Sequence, residues 1–143
     1  MLNKKTWMGA FVILVLGVML TGCATAPSGI NQSVEAVAIT VNPGANESVI
    51  VIQRTRTAVA SAVSMRVWIN GDELASGIRN GNEIQIIVPN GEHTIQAGST
   101  SVDRGNSITF SVNEEAIFFF AEPRMGALSA RFNLTTRGSR PLL

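Results

Sequence analysis

The feature that most limits what this chain can fold into is a series of short segments in which β-branched or aromatic residues recur at every second position, separated by turn residues. The segments are 34–41 (VEAVAITV), 48–54 (SVIVIQR), 65–70 (MRVWIN), 83–88 (EIQIIV), 92–97 (EHTIQA), 107–112 (SITFSV), 116–121 (AIFFFA) and 128–135 (LSARFNLT). Successive side chains of a strand point to opposite faces, so alternation of this kind marks strands with one buried face. Asn-Gly occurs at 70–71, 80–81 and 90–91. Both residues tolerate positive φ, which suits the dipeptide to tight reversals between antiparallel strands. The pattern predicts an all-β fold, a single antiparallel β-sandwich of about seven to eight strands over residues 34–143. The best helical candidate in this region, TAVASAVSM (57–65), is alanine-rich but carries two valines and a threonine. It is a short helix or a loop, and the loop is favoured.

The same alternation proposes a core. Met65, Val67 and Ile69 share one strand face, as do Ile84, Ile86 and Val88, and Ile108, Phe110 and Val112. Trp68 and Ile87 fall on the opposite faces, together with either Phe119 or the pair Phe118 and Phe120. If Trp68 and Ile87 lie together, they form an apolar patch that calls for a partner, a lipid surface or a covering loop. The alternative is a second core packed beneath the N-terminal segment or the 55–64 loop.

The first thirty residues follow a different plan. Lys4 and Lys5 precede a charge-free apolar run, Met8 to Leu20, and then Thr21, Gly22 and Cys23. A basic start, a short apolar core and small residues before a cleavage point are the layout of an export signal. The run falls short of the roughly 20 residues that cross a bilayer core. Leu20-Thr21-Gly22-Cys23 resembles the lipobox of bacterial lipoproteins. That resemblance implies cleavage between Gly22 and Cys23 of a signal helix spanning residues 1–22, diacylglycerol and palmitate-type acyl chains on Cys23, and a lipid-anchored protein of the bacterial cell envelope. Ala24 after the cysteine, where an aspartate signals inner-membrane retention in enteric bacteria, implies the outer membrane and a periplasm-facing domain. Residues 23–33, with Pro27 and Gly29 among small and polar neighbours, read as the lipidated cysteine and a flexible tether.

Within the body, VWINGDELASGIRNGNEIQIIVPNGEHTIQA (67–97) resembles the small sandwich modules of bacterial envelope proteins related to the PEGA type. The resemblance rests on Val88, Pro89, Gly91, His93 and Ile95, and extends over about residues 48–136, including a glycine-bearing turn at Pro123 to Gly126. It marks a fold and implies no catalysis.

Removing residues 1–22 removes both lysines and leaves nine arginines against ten carboxylates. Nucleic acid is an improbable partner for such a balance, because its binding rests on many phosphate-neutralising cations. Cys23 is the only cysteine and His93 the only histidine, so no metal site or cofactor is expected. No serine sits in a nucleophile elbow. Glu114 and Glu115 are adjacent and would point apart on a strand. No catalytic residue is assigned. Arg54 and Arg56 share one side of an extended segment, and arginine forks recognise carboxylates and phosphates. With Trp68 and Ile87 they form the candidate contact set. The expected function is a non-enzymatic, membrane-anchored module for an envelope protein partner. The alternative is a small-ligand or glycan-binding periplasmic module that uses Trp68.

Overall fold

The computed structural model describes residues 37–126 and 129–142, which hold eight β-strands and no helix. They are β1 (Glu47–Arg54), β2 (Met65–Ile69), β3 (Asp72–Ile78), β4 (Glu83–Pro89), β5 (Gly91–Gly98), β6 (Ile108–Val112), β7 (Glu115–Met125) and β8 (Ala130–Pro141). All join one sheet in the order β3-β2-β5-β8-β7-β1-β4, with β6 paired to β5 off this path. The sheet curls until its two edge strands, β3 and β4, approach each other. The fold is thus all-β, with one nearly closed sheet where the alternation suggested two layers.

One pairing departs from an antiparallel fold: β1 and β7 run parallel, from Val49 opposite Ala116 to Arg54 opposite Ala121. Parallel neighbours need a long crossover, and the whole of β2 to β6 supplies it. β1 pairs antiparallel with β4 on its other side.

The three Asn-Gly dipeptides do different work. At 70–71 the dipeptide closes the β2–β3 hairpin, with Asn70 at φ 54° and Gly71 at φ 91°, as a two-residue turn with both central φ positive requires. At 80–81 and 90–91 it turns the chain between strands that do not pair, since β4 lies against β1 while β5 lies against β2, β6 and β8. The sequence also conceals β3, whose DELASGI lacks alternation because nearly all of it is exposed. Residues 57–64 form a turn-rich loop, as favoured. Of the segment expected as a strand over 34–41, residues 34–36 lie outside the described residues. Residues 37–41 belong to no strand of the sheet.

Inside the curl, Ile50 and Ile52 of β1, Met65, Val67 and Ile69 of β2, Ile95 of β5, Phe119 of β7 and Phe132 of β8 form the main core. Of the nine residues proposed from alternation, Met65, Val67, Ile69, Val88 and Val112 are fully buried. Ile84, Ile86, Ile108 and Phe110 pack against the same core but stay half-buried, because β4 and β6 each have a neighbour on one side only. Phe119 is the inward member of the triple phenylalanine, with Phe110 edge-on at 5.1 Å. Phe118 and Phe120 face outward.

The weakest seam lies between β5 and β8, which share a single residue pair, Ala97 with Phe132. The loop after β5 completes it. Gly105 N–H donates to Ala97 O at 2.7 Å. The Asn106 carboxamide then takes the place of a peptide group, accepting from Leu134 N–H at 2.7 Å and donating to Leu134 O at 3.0 Å. Gly105 fits only as glycine, since a β-carbon there would stand 1.9 Å from Phe132 O. Gly105→Ala is expected to lower stability by about 2–4 kcal/mol in chemical denaturation of the full chain; an unchanged midpoint contradicts this packing.

Candidate functional site

Cys23 and Gly22 lie outside the described residues. Of the possible contact residues, Arg54 and Trp68 are buried, whereas Ile87 and Arg56 are exposed.

Arg54 ends β1 and is 0% exposed. Its guanidinium donates to three backbone carbonyls: Val63 O at 2.5 Å, Ala60 O at 2.7 Å and Ile78 O at 2.8 Å. It also lies over the Phe132 ring, 4.8 Å from the centroid. A planar fork with several fixed donors suits this task, which a lysine ammonium does not. Burial pushes its pKa below the ordinary arginine value. Arg54 is therefore an internal clasp, out of reach of any partner. Arg56, two residues on, is exposed, its aliphatic stem beside Gly81. The extended register put both on one side of a strand, but β1 ends at Arg54.

Trp68 is 3% exposed. It points away from the main core, yet Arg104 covers its ring at 4.4 Å from the centroid and is held there by Gln96, at 3.4 Å. A covering loop thus closes the indole, and no open stacking face remains. Ile87 is 38% exposed and belongs to β4, which does not pair with Trp68's strand β2. It lies opposite Val49 in the β1–β4 register.

His93 is 8% exposed, with Nε2 donating to Pro89 O at 2.8 Å and Nδ1 accepting from the Asn70 amide at 3.0 Å. These roles are assigned from the partners, since a carbonyl can only accept. Asn70 in turn accepts from Thr94 N–H through its side chain and donates to Thr94 O through its backbone. Val88 and Ile95 thus anchor in the core on either side of a turn, Pro89 to Gly91, that the imidazole locks. Asn90 makes a second lock, accepting from the Ser48 hydroxyl at 2.7 Å and from Glu114 N–H at 2.9 Å. Glu114 sits at φ 52° in the β6–β7 turn.

The feature that the strand pattern did not identify is a strap. Residues 37–41 run along the outer face of β1 and β7, where Val37, Ile39 and Val41 pack on Val49, Val51, Ala116 and Phe118 to form a second, smaller core. No backbone ladder holds them. The Gln85 carboxamide, opposite Val51 on β4, donates to Ala38 O at 2.8 Å and accepts from Thr40 N–H at 2.8 Å. Arg140 donates to Val37 O. Three half-buried aliphatic side chains stabilise the strap by about 1 kcal/mol each, and hydrogen bonds add about 1 kcal/mol net apiece. Ordering five residues costs about 1–2 kcal/mol each, so the two sides nearly cancel. Beside the strap an open recess of about 670 Å³ is lined by Ile39, Val41, Glu47, Glu114 and Arg140, among others.

Among the described residues no three histidine, cysteine or carboxylate side chains are grouped to hold a metal ion. No known family model matches the chain, and no curated protein matches it in sequence.

Arg54→Met is expected to cost about 3 kcal/mol, since it leaves three carbonyls without their donor. Arg54→Lys should recover only part of that loss in the same denaturation experiment. His93→Ala should cost about 1–3 kcal/mol and raise hydrogen exchange at Thr94; unaltered exchange there removes the imidazole from the turn.

Proposed function

We propose that this protein is a lipid-anchored component of the bacterial cell envelope, whose β-domain serves as a non-enzymatic binding or assembly module for an envelope protein. The observation that carries this reading is the sequence Leu20-Thr21-Gly22-Cys23 behind a charge-free run and two lysines. Two acyl signals on one cysteine hold a protein on a membrane far more firmly than one chain, each buried CH₂ contributing about 0.8 kcal/mol. Ala24 at the following position favours the outer membrane, with the domain facing the periplasm.

The domain itself supports a binding role. Its most chemically able side chains are spent on scaffolding: Arg54 gathers carbonyls, His93 and Asn90 lock turns, and Arg104 covers Trp68. Its outer side across β1 and β7 is an apolar strip buried only by the strap and Leu142, with Ile87 of β4 exposed at its margin. A face of that kind serves contact between proteins better than chemistry on a small molecule.

Expressed in bacteria, the full chain should partition with membranes and incorporate a clickable fatty acid, and Cys23→Ala should abolish the incorporation and leave the signal uncleaved. A wild-type chain without acyl label overturns the anchor. A photo-crosslinker at Ile87, in the membrane-bound form, should capture a recurrent envelope protein; adducts no different from those of a crosslinker at Thr109 on the far strand β6 argue against this face as the contact.

A further inference from the structure

The strap is attached in a way that makes it exchangeable. Its backbone is gripped by side chains alone, through Gln85 at Ala38 and Thr40 and through Arg140 at Val37. Gln85 supplies one donor and one acceptor to one donor and one acceptor of an extended backbone, which is how a neighbouring strand would pair. It therefore reads mainly the extended backbone, its one side-chain contact on the strap being the Thr40 hydroxyl, which donates to its Oε1 at 3.2 Å. Specificity comes from the alternate residues Val37, Ile39 and Val41, which enter the strip formed by Val49, Val51, Ala116 and Phe118. The strip is a receptor for an extended segment with aliphatic residues at every second position.

The connection from strap to β1 is short and turns tightly. It comprises Asn42, Pro43, Gly44, Ala45 and Asn46, and Asn46 is held at φ 62°, in the left-handed region. Short hinges are where identical elements trade places between copies, because the exchange keeps every contact of the groove and alters the hinge alone.

We propose that the outer strip of β1 and β7 is a self-association surface, which accepts residues 37–41 of a second copy of this chain in place of its own. The complement it requires is present in every copy, and the two grooves of such a pair are filled reciprocally, giving a closed dimer with two-fold symmetry. The proposal does not depend on lipid at Cys23, so it is tested without the anchor.

Ala38 and Glu83 both lie within reach of the Gln85 amide nitrogen, which donates to Ala38 O and to the Glu83 carboxylate. Full-length chains carrying Cys23→Ser are made with Ala38→Cys, with Glu83→Cys and with both. The double variant, treated with a short bifunctional thiol reagent when dilute, should link within one chain, which verifies that the strap is seated; no such link overturns the proposal. The two single variants are then unfolded together, refolded as a mixture and treated with the same reagent. Exchange predicts a covalent Ala38→Cys to Glu83→Cys dimer that increases with protein concentration and falls several-fold when Gln85→Ala is added to the Glu83→Cys copy. A mixture that yields no dimer while the double variant links internally overturns the proposal. So does a dimer formed equally with Ser111→Cys, on the exposed side of β6, in place of Glu83→Cys.

Discussion

The curled sheet depends on one buried cation. Its order leaves β3 and β4 as two edges that no ladder joins, and a sheet in that state tends to open. Arg54 stands at the end of β1, one strand in from one edge, and reaches Ile78 at the end of β3, the other edge. Through the same guanidinium it fixes the 57–64 loop by the carbonyls of Ala60 and Val63. A charge taken out of water is costly unless its donors are used, and here three carbonyls take the Nη1 and Nη2 donors and an aromatic ring faces the cation, leaving Nε alone without a partner. The side chain replaces a missing strand pairing with a point of closure, and the core residues of β1, β2 and β8 are positioned by it.

Side chains that imitate backbone recur through the fold. Asn106 completes the β5–β8 seam, Asn70 caps Thr94, and Gln85 holds the strap. Asn106 and Gln85 each offer a donor and an acceptor to backbone that has no strand on that side, while the Asn70 carboxamide offers Thr94 its acceptor alone and turns its amide to His93. This economy lets a short chain surround a single core with strands of unequal length. It also divides the structure into parts of different firmness. Where a long ladder runs, as between β7 and β8, every residue of β7 has a partner and a single bulge at Arg137 interrupts β8. Where one amide does the tying, as at the strap, few bonds stand between the bound and the released state.

Much of this was legible in the sequence because burial on one face writes a period of two. Met65, Val67 and Ile69 were read correctly for that reason, as were the limits of β1, β4 and β5 to within a residue or two. β3 was not, because an exposed edge strand bears no apolar stripe to betray it. Residues 37–41 misled in the opposite direction: they carry the stripe, since they bury one face, but their hydrogen bonds go to Gln85 and Arg140. Periodicity records what a segment packs against and is silent on what its backbone bonds to. The same limit explains Arg54 and Trp68. A sequence gives no sign that an arginine at the end of a strand turns inward, or that an indole on an outer face is roofed by Arg104, thirty-six residues later.

The parallel contact between β1 and β7 sets the order in which the domain can form. Val49 and Ala116, opposite each other in that pair, are separated by the bulk of the domain. β1 can meet β4 early, but its other side finds nothing until the C-terminal hairpin has been made. Contacts between distant parts of the chain slow folding, since the entropy of closing the intervening loop is lost before the contact is gained. β1, the first strand of the chain, is thus the last to be enclosed on both sides, and a chain emerging from its N-terminus stays open and threadable until nearly all of it is available.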